Sequence, residues 1–194
     1  METEKIVSAY FANVPAGIFE RAAKVRLLIT DIDGVMTDGG IIYDNDELEY
    51  KKYQVKDGLI VHHLRRSKLM VGAITGRESR VVQNRCEELK FDFHYHGVKN
   101  KGKKLQEVLE TLEIEADEVA YIGDDLIDLP ILTRVGLAVC PADALAYIKP
   151  YCHYVSRFSG GNGVFREVGD LILHAQGFLV PIIKKLTQKE NEQN

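Results

Sequence analysis

No stretch of this chain approaches the roughly 18 apolar residues of a membrane-crossing helix. The opening Met1-Glu2-Thr3-Glu4-Lys5 lacks the apolar core of a signal peptide. Cysteine is scarce: Cys86, Cys140 and Cys152 are odd in number and share no metal-type spacing. That excludes a disulfide framework and a zinc ribbon, and it reads as reduced thiols in a cytoplasmic protein. Basic excess is missing too, since the formal charge is −4. No nucleic-acid partner and no membrane partner is therefore expected. A small anionic substrate stays open, because local basic residues decide that. Internal repeats and low-complexity segments are absent. What is present is 194 residues, 45% apolar and 28% charged, enough for one domain with a sizeable core.

Short β-branched runs alternate with helical patterns along the chain. Strands are expected at residues 25–30, 69–75, 91–95, 118–122, 137–140 and 152–155. Helices are expected at 57–67, with Asp57 as N-cap, and at 78–89, 101–113, 125–135, 142–148 and 164–176. Residues 41–43 and 49–55 flank Asp44-Asn45-Asp46-Glu47 as a β-hairpin. The alternation implies a parallel sheet covered on both faces. The polar end from about Thr187 is expected to fray.

The chemistry-bearing residues fall at strand ends, where open α/β sheets bind ligands. Asp31-Ile32-Asp33-Gly34 follows the first strong strand. One carboxylate can attack a phosphoryl group while the other delivers a proton to the leaving oxygen and later takes one from water. By itself the motif also describes an Asp-rich turn without chemistry. Thr75-Gly76-Arg77 offers a hydroxyl to a phosphate oxygen, or else simply caps a helix. Lys101 can balance charge between a phosphate and a carboxylate, or else belongs with the solvated Lys99, Lys103 and Lys104. Gly123-Asp124-Asp125-Leu126-Ile127-Asp128 can supply the one or two carboxylates that Mg2+ needs. Asp128, one helical turn on, is within reach of Lys101 or a water. An acidic helix start favoured by the macrodipole has the same sequence. His94-x-His96 has no third ligand nearby in sequence and reads as a solvated or core pair.

In this order the motifs resemble the four-motif signature of the haloacid dehalogenase superfamily, over about residues 25–150. The resemblance implies an α/β, Rossmannoid three-layer fold with a central parallel sheet, a phospho-aspartate intermediate and Mg2+. It makes Asp31 the nucleophile, Asp33 the general acid/base, and Thr75 and Lys101 phosphate binders. Asp31, Asp33 and Asp124 are the implied metal set, with Asp125 and Asp128 in support. Related P-type ATPases carry Thr where this chain has Asp33. An Asp there suits hydrolysis or phosphomutase chemistry. The gaps between Asp31, Thr75 and Lys101 are nearly filled by the hairpin, helices and strands already named, so no cap domain fits. That matches the capless, tetramer-forming branch.

Within that branch the chain is similar to the octulosonate 8-phosphate phosphatase family. The similarity runs through residues 30–39, Val55-Lys56-Asp57-Gly58, Ile74-Thr75-Gly76-Arg77, Asn84-Arg85-Cys86, residues 119–125, residues 160–167 and Ala175-Gln176-Gly177. It implies that Asp33, Gln54, Val55, Lys56, Asp57, Gly58, Arg77, Arg85 and Lys101 contact a phosphorylated sugar acid, and that the protein is a homotetramer. His62 departs from the pattern, standing where some relatives carry Arg. Nonulosonate 9-phosphate phosphatases share the branch, as does a non-catalytic domain appended to some sialate-activating enzymes. Arg77, where the nonulosonate enzymes carry an acidic residue, favours the eight-carbon acid. The intact set Asp31, Asp33, Lys101 and Asp124 favours an enzyme.

Residues 1–194 are thus expected to form one phosphatase domain, with a core at about 25–156, a Gly-rich hinge at 159–163 and a helix at 164–177. That helix either crosses a neighbouring active site as a lid, bringing Arg166 to the substrate, or packs on its own sheet. By resemblance, four hairpins meet at the tetramer centre.

Overall fold

Six short apolar runs become one parallel sheet in a computed structural model that describes residues 2–189. Two helices, α1 (Glu2–Tyr10) and α2 (Ala16–Ala22), lead into β1 (Leu27–Thr30). The hairpin strands β2 (Ile42–Tyr43) and β3 (Glu49–Tyr50) precede α3 (Val55–Arg66). There follow β4 (Met70–Ile74), α4 (Arg80–Glu88), β5 (Phe93–Tyr95), α5 (Lys101–Leu112), β6 (Val119–Ile122), α6 (Leu129–Leu132), β7 (Leu137–Cys140), β8 (Tyr154–Val155), α7 (Val164–Ala175) and α8 (Leu179–Lys189). The sheet order is β5-β4-β1-β6-β7-β8, and the hairpin stands apart as an antiparallel pair. This is the three-layer Rossmannoid fold expected, with no cap domain.

Strand alternation sorts the core into two layers. On one face Leu28, Ala120 and Ile122 pack with Ile60, Leu64, Val82, Phe165, Val168 and Ile172. On the other, Leu27, Ile29 and Tyr121 pack with Leu105, Val108, Ile131 and Leu132. Central β1 pairs with β4 on one side and β6 on the other, in a register that brings Thr30 level with Ala73 and Ile122. The loops after these three strands therefore open on one end of the sheet.

Several expected boundaries move. The helix read over 125–135 is a 3-10 turn at Leu126–Asp128 followed by the short α6, whose second residue is Pro130. Residues 142–148 form turns rather than a helix. Helix α3 starts at Val55 with Gln54 as N-cap, so Asp57 lies inside it. Asp57 instead accepts the backbone N–H of Arg166 at 2.7 Å, capping the start of α7. At the C-terminal end α8 packs on α1, with Lys184 bonding Glu4 at 2.7 Å. Its helix includes Thr187, and the rest of the end expected to fray lies outside the described residues.

The Gly-rich stretch is a packed seam. Gly161 donates to the Val35 carbonyl at 2.9 Å, and Gly160 donates to Asp143 at 2.9 Å. A Cβ on Gly160 would lie 2.0 Å from the Gly34 carbonyl oxygen. Helix α7 buries Phe165, Val168, Leu171 and Ile172 completely. Its Glu167 gathers Tyr154 Oη, Ser156 Oγ, and the backbone N–H and Nε of Arg157. A helix so buried cannot swing out as a lid, and its packing on its own sheet is the arrangement found.

Candidate active site

Lys101 is the hinge of the chemistry. It opens α5 yet its side chain is fully buried, with Nζ 2.9 Å from Asp31 Oδ2, 2.6 Å from Asp128 Oδ1 and 3.2 Å from Tyr121 Oη. A buried ammonium is tolerable only when paired. Burial works against its charge, and Asp31 and Asp128 outweigh that, raising its pKa. Asp31 stands just past β1, with its N–H on the Ile122 carbonyl and its Oδ1 accepting from Ile32 N at 2.7 Å. Burial pushes the Asp31 carboxyl up, and Lys101 opposes this. The anionic form, held by that ammonium, is the one that can act as a nucleophile.

Asp128 is fully committed. Oδ1 takes Lys101 and the Tyr121 hydroxyl at 2.6 Å, while Oδ2 takes the N–H groups of Asp124 at 2.9 Å and Asp125 at 3.2 Å. Exposed Asp125 caps the 3-10 turn through Leu126 N. Asp124 is different: its Oδ1 is buried with no partner. Burial, followed by repulsion from Asp31 and Asp128, pushes its carboxyl up to about 8. Gly34, at φ +80°, makes room for it, since a Cβ there would sit 2.1 Å from Asp124 Oδ2.

Carboxylate oxygens of Asp31, Asp124 and Asp128 lie within 4.8 Å of one another, the one such metal-capable group among the described residues. An unpartnered oxygen in an under-neutralised acidic cluster fits a hard divalent cation. Asp31 and Asp124 are the residues with oxygen to give. The carboxylate of Asp33 stands outside this side-chain group, turned to Lys51 at 2.5 Å and 3.8 Å from Arg77 Nε, so the expected role of Asp33 at the metal does not run through its carboxylate here.

Thr75 is buried beyond β4, its N–H on the Tyr95 carbonyl and its own carbonyl accepting Val98 N. Arg77 bonds Glu49 at 2.9 Å and Tyr43 Oη at 3.0 Å, tying the β4 loop to the hairpin. The other expected substrate contacts lie together at the start of α3 and on α4. Gln54 is the N-cap residue of α3, Val55 and Lys56 are exposed, and Asp57 gives Oδ1 to α7 while its Oδ2 is buried without a partner. Gly58 packs under Arg85, whose guanidinium pairs with Glu88 at 2.8 Å and stands 5.4 Å from the Tyr53 ring. Arg85, Gly58 and exposed His62 line a cleft of about 830 Å3 between α3 and α4, which Asp31 and Asp124 do not line. His94 and His96 bond each other at 2.8 Å. All three cysteines are free.

Three participants escaped the sequence reading: Tyr121, Glu49 and Lys51. Tyr121 carried a signal, being a hydroxyl inside an otherwise aliphatic buried strand, which needs a polar partner. The hairpin pair carried none, because alternating charge there reads as a solvated edge.

Residues 95–168 match the model of the haloacid dehalogenase-like hydrolase family. The 3-deoxy-D-manno-octulosonate 8-phosphate phosphatase of Yersinia pestis is 42% identical over 91% of this chain and 94% of its own. That of Escherichia coli K12 is 43% identical over 87% and 90%. A crystal structure of the Yersinia phosphatase superposes with a TM-score of 0.84, at 44% identity over 86% of this chain and 90% of that one. The Moraxella catarrhalis phosphatase, solved with magnesium, phosphate and KDO, gives 0.85 at 34% identity over 87% and 97%. With a buried Lys–Asp cluster at the strand ends and full-length similarity of this order, the chain belongs to the 3-deoxy-D-manno-octulosonate 8-phosphate phosphatase family of haloacid dehalogenase-like hydrolases.

Proposed function

We propose that this chain hydrolyses 3-deoxy-D-manno-octulosonate 8-phosphate to the free sugar acid and phosphate, with Mg2+ as cofactor. The observation that carries the reading is Lys101, fully buried and bridging Asp31 and Asp128 beside the unpartnered oxygen of Asp124. Asp31 is the nucleophile. Its carboxylate oxygen bonds to phosphorus as the bond from phosphorus to the sugar oxygen breaks. Asp33 donates a proton to that oxygen, then takes one from the water that cleaves the phospho-aspartate and restores Asp31. Asp31 and Asp124 would hold the cation, which neutralises phosphoryl charge when bound. Lys101 and Thr75 bind the phosphoryl oxygens, and Asp128 and Tyr121 keep Lys101 extended towards Asp31. Arg77 can pair bidentately with the substrate carboxylate once it leaves Glu49.

The hairpin supports a homotetramer. Ile42, Tyr43, Leu48 and Tyr50 are each more than half exposed, an apolar surface that two-residue strands cannot bury alone. Packing four hairpins together covers it and sets each capless site beside a neighbour, where Arg85 and the residues at the start of α3 are available to a partner's substrate. The reading carries with it a cytoplasmic enzyme that supplies free sugar acid for nucleotide activation in lipopolysaccharide synthesis. No helix among the described residues is long and apolar enough to cross a membrane.

The deciding experiment is a panel of phosphorylated sugar acids of eight and nine carbons, assayed for phosphate release with Mg2+ and with EDTA. The eight-carbon acid should give the highest kcat/KM, with activity abolished by EDTA and restored by Mg2+. Preference for the nine-carbon acid, or metal-independent release, overturns the reading.

A further inference from the structure

Lys51 follows directly on β3, in a hairpin whose apolar residues face solvent. Its own side chain is nonetheless fully buried. Nζ lies 2.5 Å from Asp33 Oδ1 and 3.5 Å from Glu49 Oε1. Glu49 is already engaged by Arg77 and by the Ser79 hydroxyl, so Asp33 is the principal partner of Lys51. From the side of Asp33 the dependence is greater still. Thr37 Oγ1 stands 3.5 Å from Oδ1, a marginal bond, and buried Oδ2 has no hydrogen bond, only the long ion pair to Arg77 Nε at 3.8 Å. The charge-assisted bond from Lys51 is therefore the one strong hold on the carboxylate, and its second oxygen is without a hydrogen bond.

We infer that Lys51 is a positioning residue for the reaction: its ammonium holds one oxygen of Asp33 so that the other meets the leaving-group oxygen. The inference rests on Asp33 being the general acid/base. It makes the hairpin part of the chemical machinery, since the chain segment that carries Lys51 also carries Glu49, the anchor of Arg77. Proton transfer is sensitive to placement, and a misplacement near 1 Å can cost about 10²-fold in rate. A nucleophile and phosphate cradle built on β1, β6 and α5 do not depend on Lys51. Its loss should therefore be felt only where the leaving group needs a proton.

The test uses aryl phosphates that carry no carboxylate, graded from p-nitrophenyl to phenyl phosphate. kcat/KM is plotted against leaving-group acidity. The unaltered enzyme should show a shallow dependence, and Asp33→Asn a steep one. Lys51→Met should steepen the plot in the same sense, losing roughly 10- to 100-fold on phenyl phosphate while p-nitrophenyl phosphate changes little. Lys51→Arg, which keeps the charge, should restore most of the loss. Lys51→Met should add nothing further in the Asp33→Asn background, because the two act as one unit. Lys51→Gln serves the same plot should the methionine variant fail to fold. A uniform fall across all leaving groups, or full additivity with Asp33→Asn, overturns the inference and leaves Lys51 a packing residue. A shallow plot for Asp33→Asn itself overturns the acid/base assignment, and the role of Lys51 falls with it.

Discussion

Two charged networks meet above the sheet, and they are built differently. The Lys101 network rises from core elements: Asp31 after β1, Tyr121 in β6, Asp128 after β6 and Lys101 at the start of α5. Lys101, Asp128 and Tyr121 are fully buried, and both oxygens of Asp128 are taken. The Asp33 network of Lys51, Glu49, Arg77 and Tyr43 hangs on a two-stranded hairpin. In it Asp33 Oδ2 and Arg77 Nε lie 3.8 Å apart, an ion pair in which neither atom makes a hydrogen bond. On the proposed reading the first arrangement would fix the attack on phosphorus in place, and the second, more loosely bonded, would adapt to the rest of the substrate.

Removing the nucleophile is the severest test of the first network. Asp31→Asn should abolish turnover and the trapping of a beryllofluoride adduct, while Asp33→Asn should retain trapping and slow turnover by roughly 10²–10⁴. Measurable steady-state turnover in Asp31→Asn would sink the covalent route. Lys101→Met strips the central cation from Asp31 and Asp128. It should lower unfolding free energy by about 3–5 kcal/mol in a urea titration, besides abolishing activity. Arg77→Ala, in the second network, should shift the urea midpoint far less, because Arg77 is two-fifths exposed and Glu49 keeps Lys51 and Ser79 as partners. It should still harm hydrolysis of the sugar-acid phosphate far more than of p-nitrophenyl phosphate. Equal destabilisation by the two variants would erase the contrast between the networks.

Asp124 gives a subtler check. Its carboxyl is pushed up to about 8, mainly by burial, and only the ionised form ligates a cation. Protons therefore compete with Mg2+ below about pH 8. The half-saturating Mg2+ concentration should fall as pH rises towards 8, by up to about tenfold per unit for a single proton, and flatten above it. A Mg2+ requirement independent of pH from 6 to 8 counts against Asp124 as ligand. The smallest effect is expected from Ile42→Glu combined with Tyr50→Glu. Light scattering should show dissociation towards monomers with the domain still folded, and a tetramer unchanged by both charges would mean the hairpins do not meet.

Much of the first network was readable from sequence; of the second, Asp33 and Arg77 were read and their partners Lys51 and Glu49 were not. A carboxylate after a buried β-branched run announces a strand end, so Asp31, Thr75 and Asp124 could be aligned before any fold was known. Lys101 was singled out from its lysine-rich surroundings only through a motif order, since burial is invisible in composition. Lys51 and Glu49 take meaning from partners 18 and 30 positions away, on a segment where charge is ordinarily solvated. Asp57 misled for a related reason. The helix starts it could cap were its own and one beginning at Val164, and only packing of α3 on α7 decides for the second. The terminal helices α1 and α8 went unread because they cover each other rather than the sheet.

The seam at residues 160–161 has a consequence for the life of the molecule before it ever meets substrate. The loop that carries Asp33 and Gly34 is closed from behind by Gly160 and Gly161, and Asp57 waits for the N–H of Arg166. The nucleophile is made early in translation, but its backing arrives only after four-fifths of the chain has been synthesised. A nascent or prematurely stopped chain thus carries every catalytic side chain and lacks the wall that sets them. On the proposed reading, phosphatase competence should arrive only once residues 160–166 are in place.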